Sequence, residues 1–360
     1  MTIRPRRDRV LIVGPLPPPE GGARVSFRAA LDYLRSLPHL AIRHVDLPVR
    51  HDRSGSPPGG VDHPRTILGI IGAVVRMSRA DTVVVFGSSR FCFSYGVLLL
   101  TIAALLRKRS AVRFFGGRPA LSVALLPASV RTALCTLLRQ ADAVVVQTDI
   151  GRREFPTPLR KKSRVVRGYR PCQVPSPPAH RDDKRIAFAC VGMSVEKGAM
   201  VLLDAFDQVR AGQRFPRPVE LHLYGTGPAA VTERAARTPD VVMHGMVAND
   251  RLRLALQEHD VLVFPSLCIT EGHPGAIIEA FMAGLPVIAG DLPGPAEIVR
   301  HEVNGLIVKT GDADALGKAM TRAAVDRDLW QTLRAGARTS AIRFDQSLVL
   351  PELAAALRLR

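Results

Sequence analysis

The sequence predicts an α/β protein of two doubly wound, Rossmann-like domains, and three observations carry that expectation. Short apolar runs alternate with helical patterns along the chain, as parallel α/β layers require. The alternation is interrupted at residues 173–183, where proline and charge are frequent and periodicity is absent, and then restarts. A chain of 360 residues with 47% hydrophobic content is long and apolar enough for two cores.

In the first half the expected strands are residues 10–13, 82–86, 112–115, 143–147 and 164–166. Pro15, Pro17, Pro18 and Pro19 end the first of them. Gly21 and Gly22 then permit close backbone approach just before a helix starting near Ala23. This loop is neither G-x-G-x-x-G nor a Walker A sequence, which argues against nicotinamide and ATP chemistry. The apolar stretches 67–75 and 97–106 are too short to span a bilayer and are expected as buried or half-buried helices. Their flanking Arg76, Arg79, Arg107, Lys108 and Arg109 are compatible with an interfacial role.

In the second half the expected strands are residues 186–191, 221–224, 241–244, 261–264, 287–289 and 306–308. The helix after the first puts Leu202, Leu203, Phe206 and Val209 on one stripe, so it packs on a sheet. Residues 351–359 read as a short helix with Pro351 in its first turn and Leu353 and Leu357 on one face. The expected division is a first domain over 1–172, a linker over 173–184, a second domain over 185–340 and a C-terminal segment over 341–360. Ligands of such sheets bind at the carboxyl ends of strands.

The net charge of +18 is unevenly spread. Residues 1–180 hold 29 Lys and Arg against 10 Asp and Glu, whereas residues 181–360 hold 21 against 22. An arginine-biased composition, 43 Arg to 7 Lys, explains the residue type but not the asymmetry. The first domain is therefore expected to meet a polyanion or an anionic membrane face. Cys92, Cys135, Cys172, Cys190 and Cys268 are scattered and form no C-x-x-C, as expected of reduced thiols in a cytoplasmic protein. The run 10–13 is far too short for a signal peptide. Aromatics at 5%, without stacking platforms in the basic half, argue against single-stranded nucleic acid.

The segment from Thr270 to Ala289 is the most informative. Glu271 and Glu279 bracket a glycine-containing loop and the first turns of a short helix, which Gly284-Leu285-Pro286 stops. Pro274 suits a first helical turn. The amides of residues 272–276 then form a pocket suited to a phosphate. Helical side chains lean toward the N-terminus, so Glu279 can reach a group beside that phosphate, while Glu271 enters from the loop. Carboxylates beside an anion site repel the anion unless they bind hydroxyls. The set reads as a nucleotide-sugar site, with amides for the diphosphate, Glu279 for the ribose and Glu271 for the sugar. Two solvated glutamates on an amphipathic helix are the plain reading of a bare Glu-x7-Glu, which is common by chance.

The full string is far more specific. With Gly294-Pro295-Ala296-Glu297-Ile298-Val299 and Asn304-Gly305-Leu306, it closely resembles the Glu-x7-Glu signature of the group 1 glycosyltransferases, retaining enzymes of the GT-B fold that use nucleotide sugars. The segment from Val191 to Gly198 resembles that family's Gly-Arg-Leu…Glu-Lys-Gly element, with Lys197 on the family's lysine. Leu223 to Pro228 resembles its Gly-x-Gly-Pro element, and Gly21-Gly22 its loop against the donor diphosphate. The resemblance is strong over roughly residues 186–310 and thin before them. Met193 stands where the family has arginine, the loop around it is about one residue shorter, and residues 112–117 lack the family's first-domain histidine. Arg24, Arg90 and Arg118 are candidates to replace the missing cation.

The resemblance implies two domains facing a cleft, a C-terminal helix returning to the first domain, and metal-independent transfer without a cofactor. Glu271 and Lys197 would be catalytic. Glu279, Gly272, His273, Pro274, Gly275, Gly21, Gly22, Gly192, Met246 and Val247 would bind a UDP- or GDP-sugar donor. The partners implied are that donor, a glycan or lipid-linked acceptor of the cell envelope and an anionic membrane surface, with no nucleic acid. The place of action would be the cytoplasm, peripheral on the inner face of the membrane. Two other readings are a nucleotide-sugar epimerase, for which no acid/base pair from both domains is evident, and a non-catalytic GT-B-like protein that binds a polyanion.

Overall fold

The computed structural model describes residues 7–16, 22–47, 63–171, 185–212, 215 and 217–359. Gly21, Cys172 and the proposed linker over 173–184 lie outside the described residues. The chain forms two compact units, Met1–Tyr169 with Gln346–Arg360, and Arg170–Asp345.

The first unit runs β1 (Asp8–Val13), α1 (Gly22–Ser36), β2 (Leu40–Val45), α2 (His63–Met77), β3 (Thr82–Ser88), α3 (Val97–Leu105), β4 (Arg109–Phe115), α4 (Ala128–Leu138), β5 (Ala143–Val146) and β6 (Ser163–Val165), with one-turn helices between. Its six strands pair in parallel in the order β2-β1-β3-β4-β5-β6. Side chains alternate across the sheet. Val10 and Ile12 join Phe27, Leu31 and Leu34 of α1 in one core. Leu11 and Val13 join Ala73 and Met77 of α2 and Leu99, Leu100 and Ala103 of α3 in another. The strand β2 is absent from the expected set. Among the described residues it is an edge strand paired with β1 alone, and Ile42, Arg43 and His44 are not buried, so no apolar run marks it.

Strand β4 carries the arginine of the stretch that lacks the family's histidine. Arg113 is fully buried. Its Nη1 donates to the Val146 carbonyl at 2.5 Å and its Nη2 to the Val166 carbonyl at 2.7 Å, which ties the carboxyl ends of β5 and β6 to β4. Burial pushes the guanidinium down to about 10.

The second unit runs β7 (Ile186–Val191), α5 (Ala199–Gly212), β8 (Val219–Tyr224), α6 (Ala229–Arg237), β9 (Val241–Gly245), α7 (Asn249–Leu256), β10 (Val261–Phe264), α8 (Gly275–Met282), β11 (Val287–Gly290), β12 (Gly305–Val308), α9 (Ala313–Val325) and α10 (Arg327–Ala341). The parallel order is β12-β11-β10-β7-β8-β9, a doubly wound sheet whose winding reverses between β7 and β10. Leu202, Leu203, Phe206 and Val209 bury the stripe of α5 in its core. The last helix, α11 (Gln346–Ala356), belongs to the first unit, where Leu353 and Leu357 join the α1 core. It starts before the expected position, so Pro351 lies inside it and not in its first turn.

A group of imidazoles stands at the β8–β9 side of the second unit. His222 Nδ1 and His244 Nε2 are 2.9 Å apart, and Tyr224 stacks on His244 at 4.4 Å. His259 is buried, with Nδ1 at 2.9 Å from the Ala255 carbonyl and Nε2 at 3.4 Å from the Tyr224 hydroxyl. Burial pushes all three down, His259 to about 3, although Glu220 opposes this at His222. The unfolded chain then takes up protons before the folded one does, so stability is complete above the unfolded value and declines as the pH falls through it. Unfolding in urea can be followed through Trp330, the chain's single tryptophan, whose Nε1 donates to the Asp260 carbonyl at 3.0 Å. Between pH about 7.5 and 5.5, His259 alone should lower the unfolding free energy by about 1.4 kcal/mol, at about 1.36 kcal/mol per pH unit. His259→Gln should remove that part of the slope. An unchanged slope in the variant would refute the assignment.

Candidate active site

The place where a doubly wound sheet reverses leaves a crevice at the carboxyl ends of the two diverging strands. In the second unit these are β7 and β10, and the loops that follow them are 192–198 and 265–274. The loops are joined by the backbone. The Leu267 N–H donates to the Glu196 carbonyl at 3.0 Å. Gly198 has φ +76°, and a Cβ there would stand 2.0 Å from the Pro265 carbonyl oxygen, so only glycine allows this approach.

Lys197 and Glu271 form an ion pair across the two loops. Ser266 Oγ donates to Glu271 Oε1 at 3.1 Å, and Lys197 Nζ lies 5.8 Å from the centre of the Phe264 ring. The lysine side chain remains 40% exposed and the carboxylate 13%. A cation with that freedom, set on a fixed carboxylate, can turn toward an anion that enters the crevice. Gly192, at φ +100°, follows β7 directly and donates to the Tyr224 carbonyl at 2.8 Å.

The second loop delivers the chain into α8. Pro274 is its N-cap residue, one position ahead of the helical turn expected for it. Gly275, Ala276 and Ile277 are the first helical residues, so their N–H groups have no intrahelical acceptor. Gly272, His273 and Pro274 are buried. The His273 ring is spoken for by the protein: Nε2 is 3.2 Å from Glu297 Oε2 and the ring meets Phe344 edge-on.

Glu279 has a partner that the sequence does not signal. It is buried, and its Oε1 accepts from Arg170 Nε at 2.7 Å. A Cβ on Gly275 would lie 1.9 Å from Arg170 Nη2, so the guanidinium rests against the first residue of α8. A cation at the positive end of a helix is unfavourable by itself, and Glu279 supplies the compensating charge. The two residues are 109 positions apart, and no local pattern links them.

Other expected residues fall elsewhere. Met193, on the family's arginine, is 2% exposed and packs in the α5 core, so it contributes no cation. Met246 is 67% exposed beyond β9, and Val247 packs on the core that contains Ile277 and Ile278. Gly22 opens α1 in the first unit, where its carbonyl accepts from Ser26 Oγ at 3.0 Å. Of the candidate replacement cations, Arg118 is committed to Glu154 of its own unit, with Nε donating at 2.7 Å, and Arg24 is buried in α1. Among the described residues no cluster of His, Cys, Asp and Glu is arranged to hold a metal ion.

Residues 184–326 match the family model described as glycosyl transferases group 1. The amylovoran biosynthesis glycosyltransferase AmsK of Erwinia amylovora is 30% identical over 119 residues, 32% of this chain and 29% of that protein. A GDP-mannose-dependent alpha-(1-6)-phosphatidylinositol monomannoside mannosyltransferase of Mycobacterium tuberculosis is 31% identical over 162 residues, 41% of each. The matches thus span less than half the length of these curated relatives. In structure, Anabaena HepE in complex with UDP aligns over 97% of this chain and 99% of its own, with a TM-score of 0.73 and 16% identity, which establishes the shared GT-B fold. Over residues 184–326 the chain is thus similar to the group 1 glycosyltransferases.

Proposed function

We propose that the protein transfers a sugar from a UDP- or GDP-sugar to an acceptor hydroxyl in the assembly of a cell-envelope glycan or glycolipid, with retention and without a cofactor. The observation that carries this reading is the Lys197–Glu271 pair at the reversal of the second sheet, between the loop after β7 and the loop that leads into α8. The names of AmsK and of the GDP-mannose-dependent mannosyltransferase, and the UDP in the HepE complex, support the substrate classes.

In the proposed reaction the bond between the anomeric carbon and the diphosphate oxygen breaks, and the acceptor oxygen bonds to that carbon. The acceptor proton passes to a donor phosphate oxygen, and the nucleoside diphosphate leaves. Charge grows on the diphosphate as the bond breaks. Lys197 and the amides at the start of α8 stabilise that charge more than the ground state, which is the source of rate. Glu271 takes sugar hydroxyls and Glu279 the ribose, its carboxylate oriented by Arg170. Binding should appear as thermal stabilisation by one of UDP, GDP or ADP and its sugars; no shift with any of them would count against a donor site.

Lys197→Ala should lower turnover by about two orders of magnitude, the scale of losing one oxyanion-type contact. The pair is partly exposed, so apo stability should change by no more than about 1 kcal/mol. Nucleotide release from the matching sugar donor and urea unfolding of the apo protein check the two halves. Normal turnover with a large stability loss would make Lys197 structural.

Glu279→Gln should weaken nucleotide binding about ten- to hundredfold, the weight of a hydrogen bond to a charged group. It should also destabilise the fold, by up to about 3–5 kcal/mol, because the buried ion pair with Arg170 loses its carboxylate charge. The double variant Arg170→Met with Glu279→Gln separates the effects. Stability should largely return and affinity should not. Calorimetry showing wild-type nucleotide affinity in the double variant would remove Glu279 from the donor site.

A further inference from the structure

The two sides of the first sheet are finished differently. On one side α1 turns Arg28, Asp32 and Arg35 to solvent, as an ordinary amphipathic helix does. On the other side, α3 packs between α2 and α4, and these helices leave apolar side chains outward. Ile67, Leu68, Ile71 and Val75 form an exposed stripe on α2, at 50–68%. Leu105 at the end of α3 is 78% exposed, and Leu125, at the tip of the loop before α4, is fully exposed. Residues buried beneath them, such as Met77, Leu99 and Leu138, already fill the core, so these outward side chains do not serve the fold.

Charge along this stretch of the chain is almost all of one sign, although Arg113 is buried and Arg109 and Arg118 pair with Asp8 and Glu154 from outside it. Residues 63–141 contain 11 Lys and Arg and a single acidic residue, Asp81. Asp81 pairs with Arg9, Nη2 to Oδ1 at 2.8 Å. Helices α2, α3 and α4 carry no carboxylate at all. The turns after α2 and α3 adjoin each other, since Lys108 Nζ donates to the Ser78 carbonyl at 3.2 Å. Exposed Arg76, Arg79 and Arg107 therefore gather beside Leu105 and Leu106.

We propose that the outer face of α2, α3 and α4 is a docking surface for an anionic lipid bilayer. Apolar tips ringed by basic residues suit insertion of a few side chains among acyl chains while the cations meet lipid phosphates. Among the described residues no helix is long and apolar enough to cross a membrane, and the contact proposed here is an interfacial one. A second copy fits poorly, because a symmetric contact would set the same basic rim against itself. The surface lies in the first unit and needs no nucleotide.

The test is co-sedimentation of the full chain, without nucleotide, with vesicles of phosphatidylglycerol and phosphatidylcholine and with phosphatidylcholine alone. Binding should favour the anionic vesicles at least tenfold and should weaken steeply as salt rises within the screening range. The double variant Leu105→Ser with Leu125→Ser alters only exposed side chains and should lose binding at least tenfold while keeping its unfolding midpoint. Equal partition into both vesicle types, or wild-type binding by the double variant, overturns the proposal. So does a concentration-dependent dimer in light scattering that the same substitutions dissolve, which assigns the face to a second copy. Nucleotide affinity should be unchanged in the variant, which keeps this test apart from that of the donor site.

Discussion

The reversal of the second sheet between β7 and β10 is the constraint on which the site depends. Neighbouring parallel strands that lead to opposite sides of a sheet must send their following loops apart, and a crevice opens between them. Here the crevice is held to a fixed width. The Leu267–Glu196 backbone hydrogen bond draws the loops together, and Gly198 lets one backbone rest on the other at Pro265. With that spacing set, Lys197 from one loop and Glu271 from the other meet as a pair. The hydrogen bond from Ser266 then fixes the carboxylate and leaves the lysine as the movable partner.

The start of α8 sets a second electrostatic balance. Its amides favour an anion, yet the side chain packed on Gly275 is the cation Arg170. Burying that cation is tolerable because Glu279 lies beside it at hydrogen-bond distance. The carboxylate thus has a structural partner as well as a place next to the proposed phosphate site. A ligand that draws on Glu279 acts on a group whose orientation the fold has already fixed, which lowers the ordering cost of binding. His273 is another such case, since Glu297 and Phe344 hold its ring.

The first unit spends its charge differently. Arg113 is fully buried, and it serves the sheet by supplying donors to the carbonyls of Val146 and Val166. The exposed arginines and the half-buried Lys108 between α2 and β4 share that stretch of the chain with one carboxylate, Asp81. The two kinds of arginine look alike in a composition count. Their positions separate them: Arg113 is buried against backbone carbonyls, whereas Arg79 and Arg107 are exposed at the surface of the first unit.

Sequence by itself determined the alternation of elements, because parallel strands buried on both faces appear as apolar runs whatever their neighbours are. Strands β7 and β10 stand where those runs lie, and β2 escaped notice because an edge strand with Arg43 and His44 has no such run. The motif around Glu271 and the Lys197 segment were legible too, since each is local: turn residues, a helix start and the side chains they carry. Only the tertiary structure decided which residues answer one another. Met193 went to the core, Arg170 came to Glu279 across 109 residues, and Pro351 fell inside a helix whose start lies upstream. The physical reason is that a charge or an apolar side chain is satisfied by whatever the fold brings within a few ångströms, and sequence spacing says nothing of a partner that arrives from a distant element.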